Sequence, residues 1–314
     1  MVRFDFNRTV LGDPKKGGGV LREGTVVKYA WIREHERQFP VQRMCTLLTV
    51  SRPGFYAWRR REPSDRAKAD EALAQRVKVI FDESHQTYGA VRIVRSLRQE
   101  NQRVGRERVR RLMREQSLRA TARKRFCVTT DSNHRMPVAD NLLNQTFVAE
   151  RPHQVWLADI TYVPTAEGWL YLACVLDLYS RRIVGWSTGA HMDADLPLWA
   201  LSMAAWRFDP RGTICHSDRG SQYASALYQQ FLARHDLVCS MSRKGNCYDN
   251  APMESFFHTL KVECLHRHRF TTRDEAKTVI ARYIESFYNN RRLHSSIGYR
   301  TPQQAMQNAH AVVH

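Results

Sequence analysis

Val155-Trp156-Leu157-Ala158-Asp159-Ile160-Thr161-Tyr162 reads as a β-strand with a carboxylate set inside it. Its β-branched and aromatic residues favour the pleated, half-buried surface of a sheet. Working outward, Val155–Pro164, Trp169–Leu178 and Arg182–Ala190 are three strand-like runs separated by turn residues. Leu196–Arg207 then reads as a helix, Thr213–Ser217 as a strand, Ala224–His235 as a helix and Leu237–Ser242 as a strand. Three consecutive strands followed by alternating helix and strand predict a mixed α/β sheet.

Upstream the signals are helical. Val41, Met44, Cys45 and Leu48 fall at i, i+3, i+4 and i+7 on one helix face. Ser51 can cap the next helix, Pro53 suits its first turn, and the helix ends in Arg59-Arg60-Arg61. Two short helices, a tight turn and basic residues on the second are the ingredients of a helix-turn-helix. A second unit follows, with Ile93, Val94 and Leu97 inward on one helix and Val109, Leu112 and Met113 inward on the next. Arg106, Arg110 and Arg114 recur at i, i+4 and i+8 and form a cationic ridge. Arg52 and Arg92 on these helices, and Arg243 and Lys244 after the last strand, are further candidates for contact with DNA. The expected organisation is a poorly ordered leader at 1–25, a helix-turn-helix-like region at 26–128 and a linker at 129–154. A catalytic region follows at 155–306, then a tail at 307–314.

Charge separates the two halves. The 314 residues carry a formal net charge of +18. Residues 1–150 hold 31 Lys and Arg against 17 Asp and Glu, whereas residues 151–314 hold 18 against 14. The first half therefore reads as an electrostatic grip on a polyanion, with nucleic acid the common partner. Met1–Asp13 lacks the apolar core of a signal peptide. The longest apolar run, Trp169–Leu176, is eight residues, far short of the ~20 that cross a bilayer. Seven cysteines without a C-x-x-C pair point to reduced thiols in a cytosolic protein. Cys264-x-His266-x-His268 fits no usual zinc spacing. A carboxylate-pair glycosidase is disfavoured by the basic charge and the helix-turn-helix pattern.

Three acids stand out. Asp159 lies inside its strand, and Asp218 ends the strand Ile214–Ser217. A carboxylate in such a place is costly unless it is paired or holds a cation. Each by itself serves as readily for capping or a salt bridge as for a metal. Asn250-Ala251-Pro252-Met253-Glu254 reads as a cap, a first-turn proline and an early acid opening a helix. Met253, Phe257, Leu260 and Cys264 form its apolar stripe, while Glu254, His258 and Lys261 share another face at i, i+4 and i+7. Phosphodiester cleavage and transfer need an activated oxygen nucleophile and a stabilised leaving oxygen. Two Mg²⁺ ions about 4 Å apart do both, with carboxylates as their ligands. Lys261 can anchor a phosphate beside them. Asp177 reads as a hairpin residue, and His216 as an orienting or packing residue. Thr272 and Glu275 read as a capping box opening one helix from Thr272 to Tyr288.

Trp156-x-x-Asp159-x-Thr161-Tyr162, His216-Ser217-Asp218-Arg219-Gly220-Ser221-Gln222-Tyr223 and Asp249-Asn250-Ala251-Pro252-Met253-Glu254-Ser255-Phe256 together resemble the D-D-E core of retroviral-integrase-like transposases. The 35 residues between Asp218 and Glu254, Lys261 seven after the glutamate, Tyr288-Asn289-Asn290-Arg291-Arg292-Leu293-His294 and Thr301-Pro302 are similar to the insertion sequence three family. The resemblance implies an RNase H-like integrase core preceded by an all-α helix-turn-helix region. It implies Asp159, Asp218 and Glu254 as catalytic metal ligands for two Mg²⁺ ions, with Mn²⁺ as a substitute. The implied activity is cleavage at the ends of a bacterial insertion element followed by strand transfer. The implied partners are terminal-repeat and target duplex DNA and further copies of the chain on that DNA. No membrane is implied, and the place of action is the bacterial cytoplasm at the nucleoid. The sequence resembles a downstream-frame product, with an upstream helix-turn-helix and leucine-zipper segment as partner or fusion, because no sustained heptad is present. The competing expectation is a non-catalytic DNA-binding partner or repressor.

Overall fold

The computed structural model describes residues 20–62, 64–120, 139–243 and 247–311. Lys244, residues 1–19 of the expected leader, residues 129–138 of the expected linker and residues 312–314 of the tail lie outside the described residues. The chain divides into two compact units, the first ending at Leu73 and the second beginning at Ala74.

In the first unit, α1 (Thr25–His35), α2 (Val41–Leu47) and α3 (Arg52–Arg60) close around Tyr29, Ile32, Met44, Cys45, Leu48 and Phe55. Ser51 caps α3 by accepting the Gly54 N–H at 3.2 Å, and the Tyr29 hydroxyl donates to the Ser51 carbonyl at 3.2 Å. The turn before α3 and the body of α1 are thereby tied together.

The division falls inside α4 (Asp65–Glu83), so α5 (Ala90–Gln99) and α6 (Arg106–Glu115) belong to the second unit. The sequence groups residues 26–128 as one region instead. The physical reason lies at Tyr88, immediately before α5. Its hydroxyl accepts the Leu293 N–H at 2.7 Å and donates to the Arg291 carbonyl at 3.3 Å, bonding this helical pair to the C-terminal segment.

Five strands form the sheet: β1 (Val155–Thr165), β2 (Gly168–Asp177), β3 (Ile183–Gly189), β4 (Ile214–Ser217) and β5 (Val238–Met241). Their order is β3-β2-β1-β4-β5, with β2 and β3 antiparallel to their neighbours and β4 and β5 parallel to β1. Alternation along β1 sorts its residues between two cores. Val155, Leu157 and Val163 join α9 (Ala251–Glu263) and α10 (Arg273–Ala281) on one face. Trp156 and Ala158 join α7 (Asp195–Arg207) and α8 (Ala226–Arg234) on the other. Any Cβ at Gly185 would collide with the Ala200 carbonyl, so only glycine lets α7 lie this close to β3. The last helix is α11 (Pro302–Ala311). No helix among the described residues is long and apolar enough to cross a membrane.

Two expectations need correction. The helix expected from Thr272 to Tyr288 is α10 followed by a π-helical stretch, Arg282–Tyr288. The wider turn accompanies burial of two adjacent pairs, Tyr283 with Ile284 and Phe287 with Tyr288. Thr272 does cap α10 by accepting the Glu275 N–H, but the Glu275 carboxylate returns to the Thr271 N–H. Residues 139–145 are docked rather than spanning freely. Leu143 is buried in the core beneath α9, and the Asp140 carbonyl accepts the Met241 N–H of β5.

Candidate active site

Asp159 sits mid-strand on the β1 face that carries Leu157 and Val163, and α9 covers that face. Asp218 follows β4 directly, and β4 lies parallel beside β1 with Leu157 opposite His216, so the register brings Asp218 level with Asp159. Glu254 stands in the first turn of α9, where the positive end of the helix dipole favours a carboxylate. Backbone donors orient the aspartates: Ile160 N–H to Asp159 Oδ1 at 2.8 Å and Gly220 N–H to Asp218 Oδ1 at 2.9 Å.

Asp159 lies in the field of Asp218, Glu254 and Lys261. Burial pushes the Asp159 carboxyl well above the usual range, and the charges of Asp218 and Glu254 push it the same way. The Ile160 N–H and Lys261 oppose them. Burial also raises Glu254. Burial lowers Lys261, against the pull of Asp159. The Lys261 ammonium lies over the Tyr162 ring at 5.3 Å from its centroid. Tyr223 lies in the field of Asp159 and Asp218, and its buried hydroxyl has no hydrogen-bond partner among the described residues. What the arrangement offers is a set of hard oxygen donors with one ammonium in their field. It is not a closed cage: no group of three His, Cys, Asp or Glu side chains is placed to hold an ion among the described residues.

A second network holds α9 against the strands. Asn250, expected to cap α9 through its side chain, instead donates Nδ2 to the Ala158 carbonyl at 3.2 Å, one residue from Asp159. Asp249 is fully buried and gathers Asn141, Gln145 and both the backbone and guanidinium of Arg243. Burial alone would raise its carboxyl, but these donors hold it down at about 2. His216 bridges Ser240 and the Asp249 carbonyl, consistent with an orienting role. Asp177 is the last residue of β2 and holds the hairpin turn that follows, accepting from His153 N–H, Ser180 N–H and the Ser180 hydroxyl.

Residues 149–247 and 235–302 each match a family described as "Integrase core domain", and residues 68–126 match one described as "HTH-like domain". The chain is 45% identical over 281 residues to the transposase InsF for insertion sequence IS3A of Escherichia coli strain K12, covering 88% of this chain and 98% of that protein. It is 49% identical over 268 residues to an uncharacterized 31 kDa protein of insertion element IS600 from Shigella sonnei, covering 85% and 98%. The chain belongs to the IS3 family of transposases. Its fold is the RNase H-like integrase core preceded by an all-α, helix-turn-helix-like region. Among solved structures, it is similar to a simian T-cell lymphotropic virus intasome in complex with PP2A regulatory subunit B56 gamma, at 15% identity and a TM-score of 0.44 over 56% of this chain and 60% of that one. The HTLV-2 integrase catalytic core domain in complex with magnesium gives 13% identity and a TM-score of 0.39 over 51% and 99%.

In this IS3 transposase the expected site residues are placed unevenly. Asp159, Asp218, Glu254 and Lys261 share one electrostatic neighbourhood. His258 is half-buried one turn beyond Glu254 on α9. Arg243 is committed to Asp249. Arg52 opens α3 and lies over the Tyr56 ring at 5.9 Å. Arg92 lies in the first turn of α5, while Arg106, Arg110 and Arg114 line an exposed edge of α6. Sequence reasoning gave Asn250 only a capping role and assigned none to Asp249 or Tyr223. The first two stand in the quoted Asp249–Phe256 motif, but their partners are distant in the chain and carry no local signal.

Proposed function

We propose that this transposase cleaves the ends of its insertion element and transfers the freed strand, with Asp159, Asp218 and Glu254 as the catalytic acids. The observation that carries the reading is the placement of Asp159 on β1, Asp218 at the end of the adjacent parallel β4, and Glu254 and Lys261 on α9, near enough that all three bear on the Asp159 carboxyl. The donor types suit a divalent cation of the hard class, all-oxygen ligands whose repulsion a cation relieves, and the three side chains would have to draw together around it. Asp159, Asp218 and Glu254 would hold two Mg²⁺ ions, with Mn²⁺ as a substitute. Bound there, such ions supply an activated water or 3′-hydroxyl and charge for the leaving oxygen. Lys261 holds a neighbouring phosphate as a point charge, and its contact with Tyr162 fixes its direction. The Asn250 bond to Ala158 fixes the start of α9, and so Glu254, against β1.

The duplex partner is the element's terminal repeats and then target DNA, gripped through the basic helical residues by several copies of the chain. An upstream-frame helix-turn-helix and leucine-zipper segment completes end recognition, and the site of action is the bacterial cytoplasm at the nucleoid. The test is nicking of a labelled terminal-repeat duplex, with and without Mg²⁺, by the wild type and by Asp159→Asn, Asp218→Asn and Glu254→Gln. Loss of cleavage by at least about a hundredfold with DNA affinity retained is expected, since metal-borne charge stabilisation is worth several kcal/mol. Mg²⁺-dependent cleavage surviving in Glu254→Gln would sink the assignment. Binding without nicking by the wild type, in both the single-frame and the fused form, would favour a DNA-binding repressor instead.

A further inference from the structure

Arg92 in the first turn of α5, Arg106 and Arg110 on α6, and Ser295 and Tyr299 from the C-terminal segment line one open cavity of about 410 Å³. The start of α5 at Gly89 forms its remaining wall. Two parts of the chain some 200 residues apart therefore build this cavity together. No carboxylate lines it among the described residues.

Its chemistry is that of an oxyanion receptor. α5 begins at Gly89 without a side-chain cap, and nothing lies within 4 Å of where a Cβ there would stand. The first-turn N–H groups of a helix have no intrahelical partner and carry the positive end of the dipole. Arg92, which also lies over the Tyr88 ring at 5.5 Å, Arg106 and Arg110 line the same cavity, and a guanidinium is a planar fork suited to the oxygens of a phosphate. Glu107 pairs with Arg110 at 3.3 Å and with Arg106 at 3.9 Å, but these pairs are exposed to solvent and weak.

The walls are held in place. The Tyr88 hydroxyl, one residue before Gly89, is bonded to the backbone of Arg291 and Leu293. Arg95 lies over the Tyr299 ring at 4.8 Å. His294 N–H donates to the Arg300 carbonyl and Tyr299 N–H to the His294 carbonyl, closing a tight loop that carries Ser295. Positive φ at Gly298 (71°) and Tyr299 (60°) makes that reversal.

We propose that this cavity is a cradle for one backbone phosphate of duplex DNA, so that Ser295–Tyr299 grips DNA jointly with α5 and α6. The proposal rests on the reading of this chain as a DNA-acting transposase and adds a contact that the helical arginines alone do not supply. Binding of a labelled random-sequence duplex is measured against salt in a Glu254→Gln background, which keeps the DNA intact. Ser295→Asp puts a carboxylate into the cradle, whereas Ser296→Asp makes the same charge change at an exposed neighbour outside it. Ser295→Asp is expected to weaken binding about tenfold and to lower the salt slope by about one ion, and Ser296→Asp to cost less than about threefold. Arg106→Gln, at an exposed position, gives a second route to the same loss, and combining it with Ser295→Asp adds little. Equal losses in the two serine variants, or none in Ser295→Asp, would overturn the cradle.

Inorganic phosphate at matched ionic strength separates the sources. Competition that removes the difference between the serine variants while leaving duplex bound supports a phosphate cradle. A difference between the variants that saturating phosphate leaves untouched counts against it. Nicking by the wild type is scored apart from binding. Selective loss in Ser295→Asp with no wild-type nicking keeps the cradle and sinks the catalytic reading. Nicking with indistinguishable serine variants does the reverse.

Discussion

Asp159 and Asp249 are both acids in a crowded setting, and they answer pH in opposite directions. Burial and the charges of Asp218 and Glu254 raise the Asp159 carboxyl. An acid raised on folding costs nothing below its unfolded pKa and becomes a burden as pH rises towards its folded value. In metal-free protein, Asp159→Asn should therefore raise the melting temperature by about 2–4 °C per kcal/mol relieved at neutral pH. The gain should vanish near pH 4, and calorimetry at the two pH values checks it. Asp249 is held at about 2, so its contribution is present above the usual carboxylate range and fades only as pH falls towards that value. Asp249→Asn should cost about 2–3 kcal/mol in urea unfolding at neutral pH, because buried donors lose a charged acceptor. Asp159 was legible in the sequence because an acid interrupts an apolar strand. Asp249 was not, because Asn141 and Gln145 reach it from 108 and 104 residues away.

At the scale of elements, the segment after the π-helical stretch acts as a clasp on α9. Arg292 Nε and Nη2 donate to Glu263 of α9 at 2.8 and 2.7 Å, and the Tyr283 hydroxyl donates to the same carboxylate at 2.9 Å. Burial pushes Glu263 up, yet Arg292 and Tyr283 hold it below the ordinary range. Breaking a buried pair strands a charge, whereas replacing both partners with apolar groups removes the problem. Arg292→Met should thus destabilise by about 3–5 kcal/mol, and Arg292→Met with Glu263→Met should recover most of it, as read by urea titration. An unrepaired double variant would place the cost in packing instead. The caps of α3 and α10 were readable because Ser51 and Thr272 act on residues three places along. The π-helical turns were not, because over seven residues the burial pattern of a wide helix matches that of an ordinary one. The clasp was quoted as a motif, but its partner on α9 is a fold-level fact.

Across the whole molecule, the strand order β3-β2-β1-β4-β5 is a fold-level fact, whereas the mixed α/β sheet and the helical region before it were visible in the sequence. The unit boundary was not, because it falls inside α4 rather than in a Pro- or Gly-rich linker. What sets it is closure: α1–α3 complete their own small core, while α5 is tied through Tyr88 to the C-terminal segment. A chain beginning at Asp65 should therefore keep a single cooperative unfolding transition, with the sheet's circular dichroism retained. Loss of cooperativity on removing α1–α3 would show that their core is not self-contained.

The two outer strands of the sheet, β3 and β5, are each met by a segment from elsewhere in the chain. The Asn289 side-chain amide accepts the Ile183 N–H and donates to its carbonyl, each at 3.0 Å. At the other side, Asp140 accepts the Met241 N–H and the Ser240 hydroxyl takes the Leu142 N–H. Bare sheet edges template strand addition between molecules, and these borrowed bonds occupy the positions where it would begin. Chains crowded at high concentration are thus hindered from fusing edge to edge at Ile183 or Met241.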